Sequence, residues 1–277
     1  GVQVPDGDVV VTAAATPAAT AASDGAIGLA AAARIYARMS WLRLRRGRVV
    51  WLAAALFALP LVYVAGLAIA GHWGRGLFDD VCEVYFRFLV PFVPALTASA
   101  AVAEEIENKT FTFVFARPAP RGALVLGKLW AATVPALAVV VPSLALAWVV
   151  AQLRFPADMA DTWPHLLRVE LAAVAGLCAY GALAAAIGTL FSRHPLVAVL
   201  VYLMVIEAGL GSAPIVLNLI TIGWHLRNIA ELPLPDTAFM AVTVPWWGSA
   251  LAALAVTPGL VFLTNVAVNG AEYRTDR

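Results

Sequence analysis

Residues 122–128 of this sequence read Gly-Ala-Leu-Val-Leu-Gly-Lys, the first part of a phosphate-binding G-x-x-x-x-G-K loop. Such a loop needs a preceding strand and a Ser or Thr next, to hold magnesium. Here Leu129 follows, no strand pattern precedes, and a long apolar run comes after. The small residues that let backbone amides wrap a phosphate are also missing. Nucleotide binding by this chain is excluded.

Glu207, in Val-Ile-Glu-Ala-Gly, lies inside another apolar run. A charged group at membrane depth costs roughly 2.5–3.5 kcal/mol on insertion scales, so it should face a bundle interior, a subunit interface or a water-filled path. Two readings stay open: a carboxylate that couples or contacts substrate, and a structural hydrogen-bonding residue. Arg87, near the end of its run, can extend its long side chain back to water. His72, His165, His194 and His225 fall in expected loops, and none pairs with Cys, Asp or Glu at metal-ligand spacing. Cys82 is expected in a loop and Cys178 in a span, so no disulfide or metal pair is implied. No Ser, His and Asp combination marks a nucleophile. The expectation is a chain that is not an enzyme, with no metal and no cofactor of its own.

The elements that position these residues follow from composition. The chain is 62% hydrophobic and 13% charged, too few charges for the skin of a soluble domain of 277 residues. Its charges cluster between uncharged, continuously apolar runs, which favours an all-α polytopic membrane protein over a barrel. A net charge of +1 with no basic, aromatic-interleaved stretch gives no sign of nucleic acid. Six runs come near the roughly 20 residues needed to cross a core about 30 Å thick. They are 49–70, 84–103, 129–153, 169–191, 196–212 and 247–268. The fifth is interrupted by Gly-Ser-Ala-Pro at 211–214, and the apolar tail to Trp224 reads as a segment that dips back or lies flat at the outer surface. Trp51 and Trp130 suit one aromatic belt, and Tyr85, Trp148, Trp246 and Trp247 the other.

Basic residues set the orientation. With the N-terminus inside, the cluster at 34–48 joins Lys109, Arg117, Arg121, Lys128, Arg193, Arg274 and Arg277 on the cytoplasmic side, against Arg75, Arg154, Arg168 and Arg227 outside. Both termini are therefore expected in the cytoplasm. Residues 1–33 read as a flexible Ala/Thr/Pro-rich tail. In 34–48, Arg34, Arg38 and Arg45 share one helical face and Ile35, Met39 and Leu42 another, as in an interfacial elbow helix before the first span. The outer loops are 71–83, 154–168 and 213–245, the last able to form short helices on the mouth of the bundle. Small residues at 172, 176, 181, 185 and 188 allow close helix approach, and Pro91, Pro94, Pro135, Pro142 and Pro258 allow kinks. The spans hold few interior polar groups, which leans toward a hydrophobic or amphiphilic cargo or toward mechanical coupling.

The charged island at 104–128 becomes a cytoplasmic connection between spans two and three. Glu104, Glu105 and Glu107 suit a new helix start. Phe111, Val114, Phe115 and Pro118 recur at i, i+3, i+4 and i+7, although the alternation from Thr110 to Phe113 also suits a strand. Aromatic side chains exposed there want a groove, as on a docking element, or else the bilayer or their own bundle.

At these residues the chain resembles the ABC-2-type permeases of ATP-binding-cassette exporters, whose second and third spans are joined by Glu-x-Glu-x-Gly-Thr, an apolar stretch, Pro, Arg and Gly-Lys. Glu105, Glu107, Thr110, Pro118, Arg121, Gly127 and Lys128 match, with Lys109 where Gly is usual. The outer run from His225 to Asp236 is similar to the segment before the last span in the gliding-motility and nitrous-oxide-reductase-maturation branch. The resemblance implies one permease domain over 34–277, multi-pass in a bacterial plasma membrane. It implies two copies, paired as a homodimer or with a related permease, and a separate ATPase subunit that binds ATP and magnesium. The coupling interface would be Glu105, Glu107, Thr110, Phe111, Val114, Phe115, Pro118, Arg121, Gly127 and Lys128. Rival readings are a scaffold or assembly factor recruiting a cytoplasmic partner, and an ion-driven secondary transporter using Glu207.

Overall fold

The computed structural model describes residues 28–46, 49–107, 121–211, 216–234 and 244–271, with the backbone alone at 43–46, 49–54, 56–57, 100–107, 121, 216 and 269–271. Every regular element among the described residues is helical. Apolar runs in hydrocarbon must satisfy their backbone groups within the segment, and a helix does so. The elements are α1 (Leu29–Arg46), α2 (Val49–Ile69), α3 (Gly74–Val84), α4 (Val90–Glu107), α5 (Arg121–Gln152), α6 (Met159–Leu190), α7 (Pro195–Tyr202), α8 (Ile222–Ile229) and α9 (Trp246–Ala271). A π-helical turn, Tyr85–Leu89, joins α3 to α4, and a longer one, Leu203–Leu210, continues α7.

Four stretches are long and apolar enough to cross a membrane: Gly74–Ser99, Gly122–Gln152, Pro156–Leu190 and Trp246–Val268. Two shorter apolar stretches, Ala58–Ile69 and Pro195–Leu210, accompany them. The centre of the bundle is α6, which packs against α4, α5, α7, α8 and α9. Its buried face is rich in small residues, including Ala172, Gly176, Ala179, Gly181, Ala185 and Gly188. At Gly188 the backbones of α6 and α4 nearly touch, since an added Cβ would come nearer than 3.0 Å to the Ser99 carbonyl oxygen. Small-residue spacing thus does what it suggests: it lets helices close up where lipid offers no hydrophobic drive.

Several boundaries differ from expectation. Helix α1 starts at Leu29, ahead of residue 34, because the Ala run at 30–33 favours helix and Ala32 is buried. The outer loop expected at 71–83 is mostly α3, and that at 154–168 mostly the first turns of α6. Charge in these stretches suggested loops, but in α3 it occupies one face: Arg75, Asp79, Asp80 and Glu83 alternate with buried Leu77, Phe78, Val81 and Cys82. Cys82 is therefore a core residue and not a loop residue. Tyr85 does not join an aromatic belt; it is fully buried and its hydroxyl donates to Ser143 Oγ at 2.9 Å. Trp130 and Trp247, by contrast, are 68% and 56% exposed.

On α1, Ala32, Ala33, Tyr36 and Ala37 turn toward the bundle while Ile35, Met39 and Leu42 stay about half exposed. The contact is against the start of α5, where a Cβ on Gly127 would lie 2.5 Å from the Ala33 carbonyl oxygen and 2.7 Å from Tyr36 Cβ.

Candidate functional site

The apolar tail after Gly211 does turn back. A 3-10 turn, Val216–Ile220, leads into α8, which buries Ile222, Trp224, Leu226 and Ile229 against α6 and α9. A helix that starts inside the fold must satisfy its first N–H groups. Glu207 meets that need: Ile222 N–H donates to its Oε1 at 3.1 Å and Gly223 N–H to its Oε2 at 3.0 Å. The next amide, of Trp224, donates to Thr221 Oγ1 at 3.3 Å. The Tyr202 hydroxyl donates to Glu207 Oε1 at 3.3 Å. The negative carboxylate at a helix N-terminus is also favoured by the helix dipole. With three donors on two oxygens, Glu207 ties α8 to the π-helical segment Leu203–Leu210. Of the two readings of Glu207, the structural one has these contacts behind it.

Both π-helical segments face one cavity of about 370 Å³. Phe86, Arg87 and Phe88 line it from the first, and Leu203, Met204 and Glu207 from the second. The first π turn has a local cause. Pro91 has no N–H, so the Arg87 carbonyl loses its usual helical partner, and Val90 N–H bonds back to the Tyr85 carbonyl five residues earlier. In the second, Gly211 N–H reaches the Ile206 carbonyl over the same span. Such turns are rare and recur at functional sites.

Charge gathers at one side of this cavity. Glu83 Oε1 accepts from Arg227 at 3.0 Å and faces Arg87 Nη1 at 3.8 Å, so two guanidiniums share one carboxylate oxygen. Arg87 remains 56% exposed, as its long side chain allows. The cavity wall includes Trp224, which is only 4% exposed and whose indole N–H has no acceptor among the described residues.

A second polar cluster ties the same end of the bundle. His165, buried on α6, meets Asp79 of α3 at 2.8 Å. Arg75 lies 3.7 Å from Asp79 and 4.0 Å from Glu231, which also pairs with Arg168. His165 is thus in a helix and not in a loop, and its partner was hidden by 86 residues of separation. His225, on α8, is held by two neighbours. Its Nε2–H donates to the Leu219 carbonyl at 2.9 Å, which requires the proton on that nitrogen, and Ser249 Oγ lies 3.1 Å from Nδ1. Burial lowers its pKa below the ordinary histidine value, against the smaller opposing effect of the Leu219 carbonyl. No group of three or more metal-ligating side chains occurs among the described residues.

Of the coupling residues expected from sequence, Thr110, Phe111, Val114, Phe115 and Pro118 lie outside the described residues. Glu105 and Glu107 fall in the last turns of α4, and Arg121 opens α5. Gly127 and Lys128 lie within α5, Gly127 against α1 and Lys128 buried. Helices therefore lead into and out of the connection on both sides.

Residues 38–222 match the family described as ABC-2 family transporter protein. The match covers more than half of the 277-residue chain and runs from α1 through the connection at 104–128 to the first residue of α8. Comparison with curated proteins gave no match.

Proposed function

The chain belongs to the ABC-2 family of transporter proteins, and from that premise we propose that it is the permease subunit of an ATP-driven exporter. In this reading a separate ATPase subunit binds ATP and magnesium and docks on the connection at 104–128. The permease itself carries out no chemistry. Two copies pair, as a homodimer or with a related permease, in a bacterial plasma membrane. The gliding-motility and nitrous-oxide-reductase-maturation branch is the part of the family we assign it to, on the outer run from His225 to Asp236.

The observation that carries this reading is the family match over the connection and the helices that flank it. Helix α5 has 32 residues, about 48 Å at 1.5 Å per residue, against a hydrocarbon core of about 30 Å. It overhangs the membrane and can pass a push on its end to the bundle as a rigid body. The six-crossing plan adds α2, 21 residues and about 31 Å long, and the stretch Pro195–Leu210 to the four longer spans. Both termini then lie in the cytoplasm, and α1 lies along the inner leaflet with Ile35, Met39 and Leu42 toward lipid. An ion-driven transporter would need Glu207 to change partners in each cycle, and its three donors argue for a fixed anchor instead.

The test is co-purification with the ATPase encoded beside this chain. Replacing Glu105 and Phe111 together should abolish the association while leaving the permease folded in detergent. Undiminished co-purification would rule out docking at this connection.

A further inference from the structure

We infer that the cavity between the two π-helical segments is a binding site for an anionic amphiphile, a single phosphate or carboxylate head on a hydrocarbon tail. The inference rests on the exporter reading only for the ligand's role as cargo; the binding itself needs no ATPase.

Charge gives the sign of the head. Four charged side chains line the cavity: Glu83, Arg87, Arg227 and Glu207. Glu207 already accepts from the Ile222 N–H, the Gly223 N–H and the Tyr202 hydroxyl, so most of its acceptor capacity is spent within the fold. Glu83 offers one oxygen to both arginines, at 3.0 and 3.8 Å. The guanidiniums bring ten N–H donors in two planar forks, and among the described residues Glu83 is the carboxylate they meet at this cavity, which leaves donors for another anion.

Shape gives the tail. Phe86, Phe88, Pro91, Phe92 and Met204 supply much of the apolar wall, and Phe88 and Met204 are about half exposed, so the apolar side opens outward. An apolar body with a few convergent polar groups is the usual make-up of a small-ligand site, and about 370 Å³ is within the usual size range. Proline-driven π turning places Arg87 and Phe88 side by side in this wall, head contact next to tail contact.

The experiment titrates the full chain, purified in a maltoside detergent, with dodecyl phosphate below its micellar concentration. Parallel titrations use dodecyltrimethylammonium and inorganic phosphate. Calorimetry should give one dodecyl phosphate per chain, bound at least tenfold more tightly than either control. Arg87→Gln should weaken that binding about tenfold, as expected for losing a charge-assisted contact. Equal binding of the cationic amphiphile would overturn the assignment of charge. Inorganic phosphate binding as tightly as dodecyl phosphate would overturn the amphiphile and leave a plain anion site. No saturable binding, or an Arg87→Gln chain that binds like the wild type, would overturn the site. None of these outcomes bears on docking of the ATPase, and loss of docking would leave this binding intact.

Discussion

Among the described glycines Gly188 marks the tightest approach, with the Ser99 carbonyl where any side chain would have to begin. Gly188→Ala should cost about 1–3 kcal/mol through forced separation of α4 and α6, read as a lower melting temperature in detergent. The control is Gly76, where an added Cβ meets nothing within 4 Å. Gly76→Ala should leave stability unchanged or raise it by up to about 1 kcal/mol. Glu207→Ala would orphan the Ile222 and Gly223 amides, at a cost of about 1–3 kcal/mol. The specific readout is hydrogen exchange: amides at 222–229 should lose protection with Glu207→Ala and lose less with Glu207→Gln, which keeps one acceptor. Unchanged protection would mean that Glu207 does not hold α8. His225 adds a pH dependence. Its folded pKa lies below the unfolded value near 6.5, so its contribution is fully present above that value and is lost as pH falls through the folded pKa. The melting temperature should drop on acidification below about pH 6.5, and His225→Gln should flatten that part of the slope.

At the scale of elements, the joint between α1 and α5 is the part of the connection's surroundings that packing explains. Gly127→Val would push a side chain into the Ala33 carbonyl and Tyr36, so α1 should detach while α5 stays helical. Faster labelling of a cysteine placed at Ala32, which is buried in the wild type, would report it; unaltered labelling would contradict the joint. What could be read from sequence at this scale was set by composition. Long apolar runs such as 129–150 announce a helix because hydrocarbon leaves the backbone no other partner. Helix α3 was missed because Arg75, Asp79, Asp80 and Glu83 looked like a loop, although Leu77, Phe78, Val81 and Cys82 recur at helical spacing. The π turns were out of reach, since Pro91 signals a break but not the five-residue bond that repairs it. Glu207 stood out as a buried charge, yet its partners Ile222 and Gly223 lie 15 and 16 residues on, across a reversal of the chain.

For the whole molecule, one functional logic joins these parts. The start of α5 bears α1 on one side and receives the connection at 104–128 on the other, and its far length packs against α6, around which the bundle is built. Away from the connection, α8 is pinned by Glu207, and His165–Asp79 and Arg227–Glu83 tie α6 and α8 to α3. A push at the connection would therefore move linked helices and not a loose loop, and the π-helical cavity lies where such motion would be felt. As proposed, this chain receives work from a separate ATPase subunit. The most direct measurement of that is the rate of ATP hydrolysis by the neighbouring ATPase, reconstituted in lipid with the wild-type chain and with the Glu105→Ala, Phe111→Ala double variant. The account predicts hydrolysis stimulated several-fold by the wild-type chain and reduced to the rate of the ATPase alone by the double variant. Equal stimulation by both chains would contradict it.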